Sequence, residues 1–306
     1  PCGMMTSTTA QVQVDAASVV GALTGGTNVC AGDVPAALLL TGHNGAILRW
    51  ESSTNCPAFS SPTSIANVTI TFQPGALTQT TCYRAVVQNG ACALTYSAIK
   101  TLTVSSGTAA GTLGSDRTIC SGDNTGALTL TGHTGAIKRW ESSVDCSFAT
   151  GVTTISNTLS TYTSGAINNT TGAPLTLCYR VIVQDGACPA IPSNGVTVTV
   201  QPQAMAGALS GGGAICGNQP ANPITLSGQQ GNILRWEASN DCVNFTNPLD
   251  LGNGGQSVYN PGLLAQTTCF RAVVGYAGCP SLYTAPVRIS VSDLQLATQV
   301  TDIAGV

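Results

Sequence analysis

A sixteen-residue pattern centred on Arg-Trp-Glu occurs three times in this chain, and no other feature restricts its fold as strongly. It reads TGHNGAILRWESSTNC at 41–56, TGHTGAIKRWESSVDC at 131–146 and SGQQGNILRWEASNDC at 227–242. Trp50 and Trp140 stand 90 residues apart, and Trp140 and Trp236 stand 96 apart. That period exceeds the roughly 20–50 residues of a solenoid repeat and suits a small autonomous domain. The 306 residues therefore divide into three units, expected at 20–105, 106–202 and 203–292, with short segments at 1–19 and 293–306.

Thirteen cysteines follow the same period. Cys30, Cys56, Cys82 and Cys92 recur as Cys120, Cys146, Cys178 and Cys188, and again as Cys216, Cys242, Cys269 and Cys279. No C-x-x-C spacing occurs, so the frame reads as two disulfides per domain in an oxidising extracellular setting rather than as zinc ligands. The thirteenth is Cys2. The segment PCGMMTSTTAQVQVDAASVVGALTGG aligns with ACPAIPSNGVTVTVQPQAMAGALSGG from Ala187 onward, which puts Cys2 where Cys188 stands. Residues 1–19 then read as the last strand of an earlier repeat, and the chain as a stretch of a longer array. The alternative is a strand donated to a neighbouring chain. In either case Cys2 is unpaired within its own repeat or bonded elsewhere.

Within each unit, short apolar segments alternate with turn residues at the spacing of a β-sandwich. In the first unit, strands are expected at 19–23, 27–30, 37–41, 46–52, 67–72, 81–88 and 98–104, with turns at 42–45 and 89–90. The segments VTVTV at 196–200 and VRISV at 287–291 show period-two alternation, and helical periodicity is absent. The fold class is all-β: tandem immunoglobulin-like sandwiches stapled by disulfides.

Alternation predicts that Leu48 and Trp50 point inward while Arg49 and Glu51 point outward, with Tyr83, Ala85 and Val87 inward and Arg84 outward. Trp50, Trp140 and Trp236 become core anchors. Segments 46–52 and 81–88 are antiparallel neighbours in such a sandwich, which sets Glu51 across from Arg84, Glu141 from Arg180 and Glu237 from Arg271. On an exposed sheet face such pairs contribute about 0.2–1 kcal/mol and chiefly fix register. The same adjacency brings Cys56 to Cys82, Cys146 to Cys178 and Cys242 to Cys269. By elimination, Cys30 is left with Cys92, Cys120 with Cys188 and Cys216 with Cys279. Chain direction, however, sets Cys30 and Cys92 near opposite ends of the sandwich.

The runs Leu-Thr-Gly-His-x-Gly-Ala-Ile-x-Arg-Trp-Glu-Ser-Ser and Thr-x-Cys-Tyr-Arg-x-Val-Val-Gln-x-Gly-Ala-Cys resemble the immunoglobulin-like repeats of very long surface adhesins of gliding bacteria. The resemblance spans residues 20–292. It implies secretion, often by the type IX route, and a place between cell anchor and adhesive tip. Members of that family often have Gly-Gly and Tyr where this chain has Asp145-Cys146 and Cys178. The resemblance thereby supports Cys56 with Cys82 as a matched addition.

Composition and motifs narrow the function further. Charged residues make up only 8% of the chain and its formal net charge is −3, far from the basic surface that tracks phosphates, so no nucleic-acid partner is expected. No apolar run reaches the roughly 18 residues of a membrane span. The N-terminal PCGMMTSTTA lacks the basic and apolar regions of a signal peptide. His43 and His133 sit in a turn where the third copy has Gln229, and no nucleophile elbow or phosphate loop occurs. Asp33, Asp123 and Asp145 lack the clustering of calcium sites. Asn67, Asn169 and Asn244 match the glycosylation acceptor pattern, which a Thr-rich sequence produces by chance. No cofactor and no catalysis are expected. The leading reading is a rod or filament of repeats at the bacterial cell surface, its partners being further repeats, copies of the chain or surface glycans. The runner-up is a carbohydrate-binding or spacer region of a secreted polysaccharide-degrading enzyme.

Overall fold

The computed structural model describes residues 2–217 and 219–292. No helix occurs among them, so none is long and apolar enough to cross a membrane. The first repeat consists of β1 (Ala22–Gly25), β2 (Val29–Cys30), β3 (Leu38–Thr41), β4 (Ala46–Ser53), β5 (Thr63–Ile65), β6 (Thr71–Phe72), β7 (Thr81–Gln88), β8 (Thr95–Tyr96), β9 (Lys100–Leu102) and β10 (Val104–Ser105). One sheet has the order β1-β3-β6. The facing sheet runs β5-β4-β7, with β8 and β9 both on β7, and β10 pairs β2 in parallel. In the second repeat the equivalent strands merge into one sheet, in which Arg117–Ile119 pairs in parallel with Val196–Val200. The third repeat follows suit through Gly213–Cys216 and Val287–Ser292. This is the all-β, tandem immunoglobulin-like architecture that the alternation dictates, and it carries five disulfides.

Each repeat has its own core. Trp50 is fully buried among Leu38, Leu40, Tyr83, Ala85, Val87 and Leu102. Its indole Nε1 donates to the Thr69 carbonyl at 3.1 Å, which satisfies the one polar atom that its burial would otherwise orphan. Phe72 lies between Trp50 and Tyr83, with both ring-centroid distances 5.5 Å. Tyr162 and Tyr259 take the place of Phe72 beside Trp140 and Trp236. Tyr179, in the core of the second repeat, has its phenol pushed up to about 12 by desolvation on burial, with a smaller contribution from Tyr162.

Three expectations need correction. Leu48 does not face the core: a β-bulge falls between Ile47 and Arg49, so Ile47 and Trp50 share the inner face and Leu48 lies outside at 39% exposure. The extra residue resets the alternation, which simple period-two counting could not anticipate. The strand expected at 67–72 shortens to Thr71–Phe72, because Asn67 turns the chain by accepting from the Thr69 amide at 2.8 Å. The strand expected at 98–104 is divided into β9 and β10, which pair with different neighbours. The expected segment 293–306 lies outside the described residues.

Candidate functional site: the junctions between repeats

The Arg-Trp-Glu motif builds a buried ionic cluster rather than an exposed pair. Glu51 stands opposite Arg84 in the β4–β7 register, as Glu141 does Arg180 and Glu237 does Arg271. Yet Glu51 is only 4% exposed, which corrects the open-face expectation. Its Oε2 accepts from Arg84 Nε at 2.7 Å and its Oε1 from Arg49 Nε at 2.8 Å. What covers it comes from the loop after β4 and, in the first and third repeats, from the short strand paired to the far side of the arginine's strand. The Arg84 guanidinium lies over the rings of Phe59 at 4.3 Å and Tyr96 at 4.2 Å. Phe148 covers Arg180 in the second repeat, and Phe245 with Tyr283 covers Arg271 in the third. Phe59, Phe148 and Phe245 all adopt positive φ, in loops pinned to the sheet by Cys56–Cys82, Cys146–Cys178 and Cys242–Cys269. Burial alone would raise the Glu51 and Glu141 carboxyls, but the hydrogen bonds from their two arginines outweigh it and hold both below the ordinary range. This cluster is saturated by its own neighbours and presents no free acid, base or nucleophile.

The remaining cysteines overturn the expectation of Cys30 with Cys92, Cys120 with Cys188 and Cys216 with Cys279. Cys30 is bonded to Cys188 and Cys120 to Cys279, each bridge crossing from one repeat to the next over 158 and 159 residues. The reason is chain direction. In the parallel pairing of β2 with β10, Cys30 lies beside Ser105, at the end of the sandwich where the chain leaves it. Cys92 lies in the turn after β7, at the end where the chain enters, with its Sγ 3.7 Å from the Asp15 carbonyl oxygen. The two are at opposite ends, so Cys30 meets instead Cys188, which holds the position of Cys92 in the next repeat. Cys2, Cys92 and Cys216 are left as thiols.

A fixed set of polar contacts surrounds the first bridge. The Ser105 hydroxyl accepts from the Ala187 amide at 3.2 Å, and the Thr108 hydroxyl accepts from the Asp185 amide at 3.0 Å while donating to the Pro189 carbonyl at 2.8 Å. The linker residue Ala109 then exchanges backbone hydrogen bonds with Thr134, in the turn that carries His133. Gly186, at φ 46°, admits this approach, since a Cβ there would lie 2.0 Å from Ser105 Oγ. At the second junction the Gln203 amide donates to the Asn169 carbonyl at 3.0 Å and Gln230 Nε2 to the Thr171 carbonyl at 3.2 Å. Asn169 is 1% exposed, and its amide donates to the Ala173 and Val200 carbonyls. It is a buried loop clamp, not an accessible glycan acceptor. The turn bearing His43, His133 and Gln229 therefore docks the incoming linker, a role its turn residues alone did not reveal.

No group of three or more His, Cys, Asp or Glu side chains suited to a metal occurs among the described residues. No curated protein matches the chain. Among solved structures it is similar to a calcium-stabilised adhesin that helps an Antarctic bacterium reach out and bind ice (12% identity, covering 92% of this chain and 75% of that one, TM-score 0.38). It is also similar to extracellular domains 3–5 of Drosophila OTK (10% identity, covering 90% and 96%, TM-score 0.36). A third likeness is to the fibronectin(III)-like modules of Clostridium thermocellum CbhA (17% identity, covering 59% and 94%, TM-score 0.33). These likenesses carry nothing about activity or partners. A family described as a domain of unknown function, DUF8696, matches residues 19–106, 109–202 and 205–293, and the chain belongs to that family as three copies in tandem.

Proposed function

We propose that this chain is a load-bearing part of an extracellular array of immunoglobulin-like repeats, structural and adhesive at the bacterial surface and without catalysis. One observation carries the reading: Cys30–Cys188 and Cys120–Cys279 join consecutive repeats outside the peptide linker. Tension along the chain passes from the second strand of one repeat directly to the hairpin turn of the next. The linker, already hydrogen-bonded at Ser105, Thr108 and Ala109, is then neither the sole connection nor a free hinge. Such a device suits a protein that transmits force and has little use in one that only encloses a substrate. Five disulfides also support an oxidising compartment outside the cytoplasm.

The test labels intact cells with a membrane-impermeant amine reagent and maps disulfides in the protein recovered after thiol blocking. Labelled Lys100 or Lys138 together with both inter-repeat bridges is the expected result. An unlabelled protein with reduced cysteines would overturn the reading. A second reading, glycan binding, is favoured by a cleft of about 530 Å³ in the third repeat, where Asn240, Asp241, Gln266 and Thr268 border the aromatic floor of Tyr259 and Phe270. A glycan array probed with this chain decides it: binding lost in Asn240→Ala with Gln266→Ala favours a sugar site, and no binding removes it.

A further inference from the structure

Cys92 and Cys216 are free in this chain, yet each occupies a position whose counterpart is bonded in another repeat. We propose that Cys92 and Cys216 are the two open ends of a disulfide ladder. Cys92 is bonded to the second-strand cysteine of the repeat whose last strand is residues 2–14, and Cys216 to the hairpin cysteine of a repeat docked beyond the third. This deepens the load-bearing reading and rests on it.

The surroundings of Cys92 already have the form that a bonded cysteine has. Its amide donates to the Asn89 carbonyl at 3.0 Å, as that of Cys188 does to Asp185 at 2.8 Å. Asp15 Oδ2 accepts from the Ala91 amide at 3.2 Å, where Ser105 Oγ accepts from Ala187 at 3.2 Å. Ser18 Oγ accepts from the Asn89 amide at 2.9 Å, where Thr108 Oγ1 accepts from Asp185 at 3.0 Å. Asp15 thus stands in the place of Ser105, the residue beside which Cys30 lies when it meets Cys188. A second-strand cysteine paired alongside Asp15 would reach Cys92 in the same way.

Residues 2–14 identify the repeat that brings this cysteine. Counting back from Asp15 without a gap, Val14 and Val12 fall on Val104 and Leu102, Ser7 on Ser97 and Cys2 on Cys92. Leu102 is 1% exposed in its core, and Ser97 Oγ accepts from the Ala85 amide across its sheet. Val12 and Val14 instead stand 83% and 88% exposed, with no strand partner. The alternating run has the pattern of a last strand and lacks only the sheet that would receive it. A second copy of this chain does not provide that sheet, because each of its repeats is closed by its own last strand at 100–105, 196–200 or 287–292. The partner is therefore a repeat continuous with residues 2–14. Cys216 mirrors this at the other end: it pairs with Ser292 as Cys30 pairs with Ser105, and it is exposed.

Each bond forms by thiol–disulfide exchange. The two thiols give up two protons and two electrons, and a disulfide-bearing oxidant is reduced to its dithiol.

The experiment is non-reducing peptide mapping of the protein from its native source, quenched with an alkylating reagent. The Cys92 peptide is expected to be linked to a peptide carrying Val-Cys or Ile-Cys, as at 29–30, 119–120 and 215–216, that is not from these 306 residues. The Cys216 peptide is expected to be linked to one of the form Gly-Ala-Cys or Ala-Gly-Cys. Alkylation of both cysteines should stay below about one in ten molecules, against near-complete alkylation in the isolated 306-residue chain. Hydrogen exchange is the second measurement: the amides of residues 10–14 should be protected in the native protein and unprotected in the isolated chain. Free Cys92 and Cys216 beside intact Cys30–Cys188 and Cys120–Cys279 would overturn this inference alone. A Cys92–Cys216 link between copies would also overturn it, whereas loss of the two inter-repeat bridges would instead overturn the load-bearing reading.

Discussion

Stretching the oxidised chain from both ends gives the sharpest test of the inter-repeat bridges. Between Cys30 and Cys279 the backbone runs through 249 residue steps. With the observed bridges, tension takes a shorter covalent route. It crosses from Cys30 to Cys188, runs back ten steps to Cys178, crosses to Cys146, runs back 26 steps to Cys120 and crosses to Cys279. Only 36 steps of backbone can extend, about 130 Å at roughly 3.5 Å per residue, against about 870 Å for the reduced chain. Bridges confined within each repeat would leave two stretches of 28 steps, from Cys92 to Cys120 and from Cys188 to Cys216. That route reaches about 200 Å. Atomic-force pulling of the 306-residue chain between terminal handles, with and without reductant, separates the three values. The expected contour length of this segment is about 130 Å when oxidised, rising about sevenfold on reduction. An oxidised length near 200 Å would refute the inter-repeat pairing, and a full-length extension would refute the bridges altogether.

Other perturbations bear on the individual repeats. Glu51→Gln leaves the guanidinium groups of Arg49 and Arg84 without their carboxylate, and should destabilise the first repeat by about 2–3 kcal/mol in chemical denaturation. Trp140→Ala empties the centre of the second core and should cost about 3–5 kcal/mol, read as an early transition for that repeat alone. Gly26→Ala should destabilise the first repeat by about 1–3 kcal/mol, because Gly26 has φ 68° and a Cβ there would lie 2.7 Å from the Leu38 and Leu102 side chains. Glu51 and Glu141 are held below their ordinary value of 4.5, so the stability they give is full above that value and is lost as pH falls through their folded-state values. Melting temperature should therefore drop on acidification below about pH 4.5, and the drop should shrink in the Glu51→Gln, Glu141→Gln double variant. An equal drop in both proteins would sink the assignment.

Much of a single repeat was legible in the chain. The recurrence of Arg-Trp-Glu marks three cores, because a Trp at a fixed place in a short alternating strand has nowhere to go but inward. Neighbouring strands make Cys56 and Cys82 local partners, since sheet adjacency alone brings them together. The local bulge at Leu48 was not legible, because one unpaired residue changes which side chains face the core without changing the composition of the strand. Nor was the burial of Glu51. Its cover comes from Phe59, a loop residue whose left-handed backbone places its ring over Arg84, and nothing in the period of the strand encodes that placement.

The sequence by itself determined the number of repeats, the all-β sandwich and the cysteine frame, because these follow from periodicity and local alternation. Only the tertiary structure decided which of the cysteines outside the Cys56–Cys82 type of pair meet. Parallel pairing of β2 with β10 carries Cys30 to the exit end of its sandwich, and the turn after β7 holds Cys92 at the entry end. A half-cystine can bond only to what lies within a few ångströms of it, and at the end of a sandwich that neighbour belongs to another repeat.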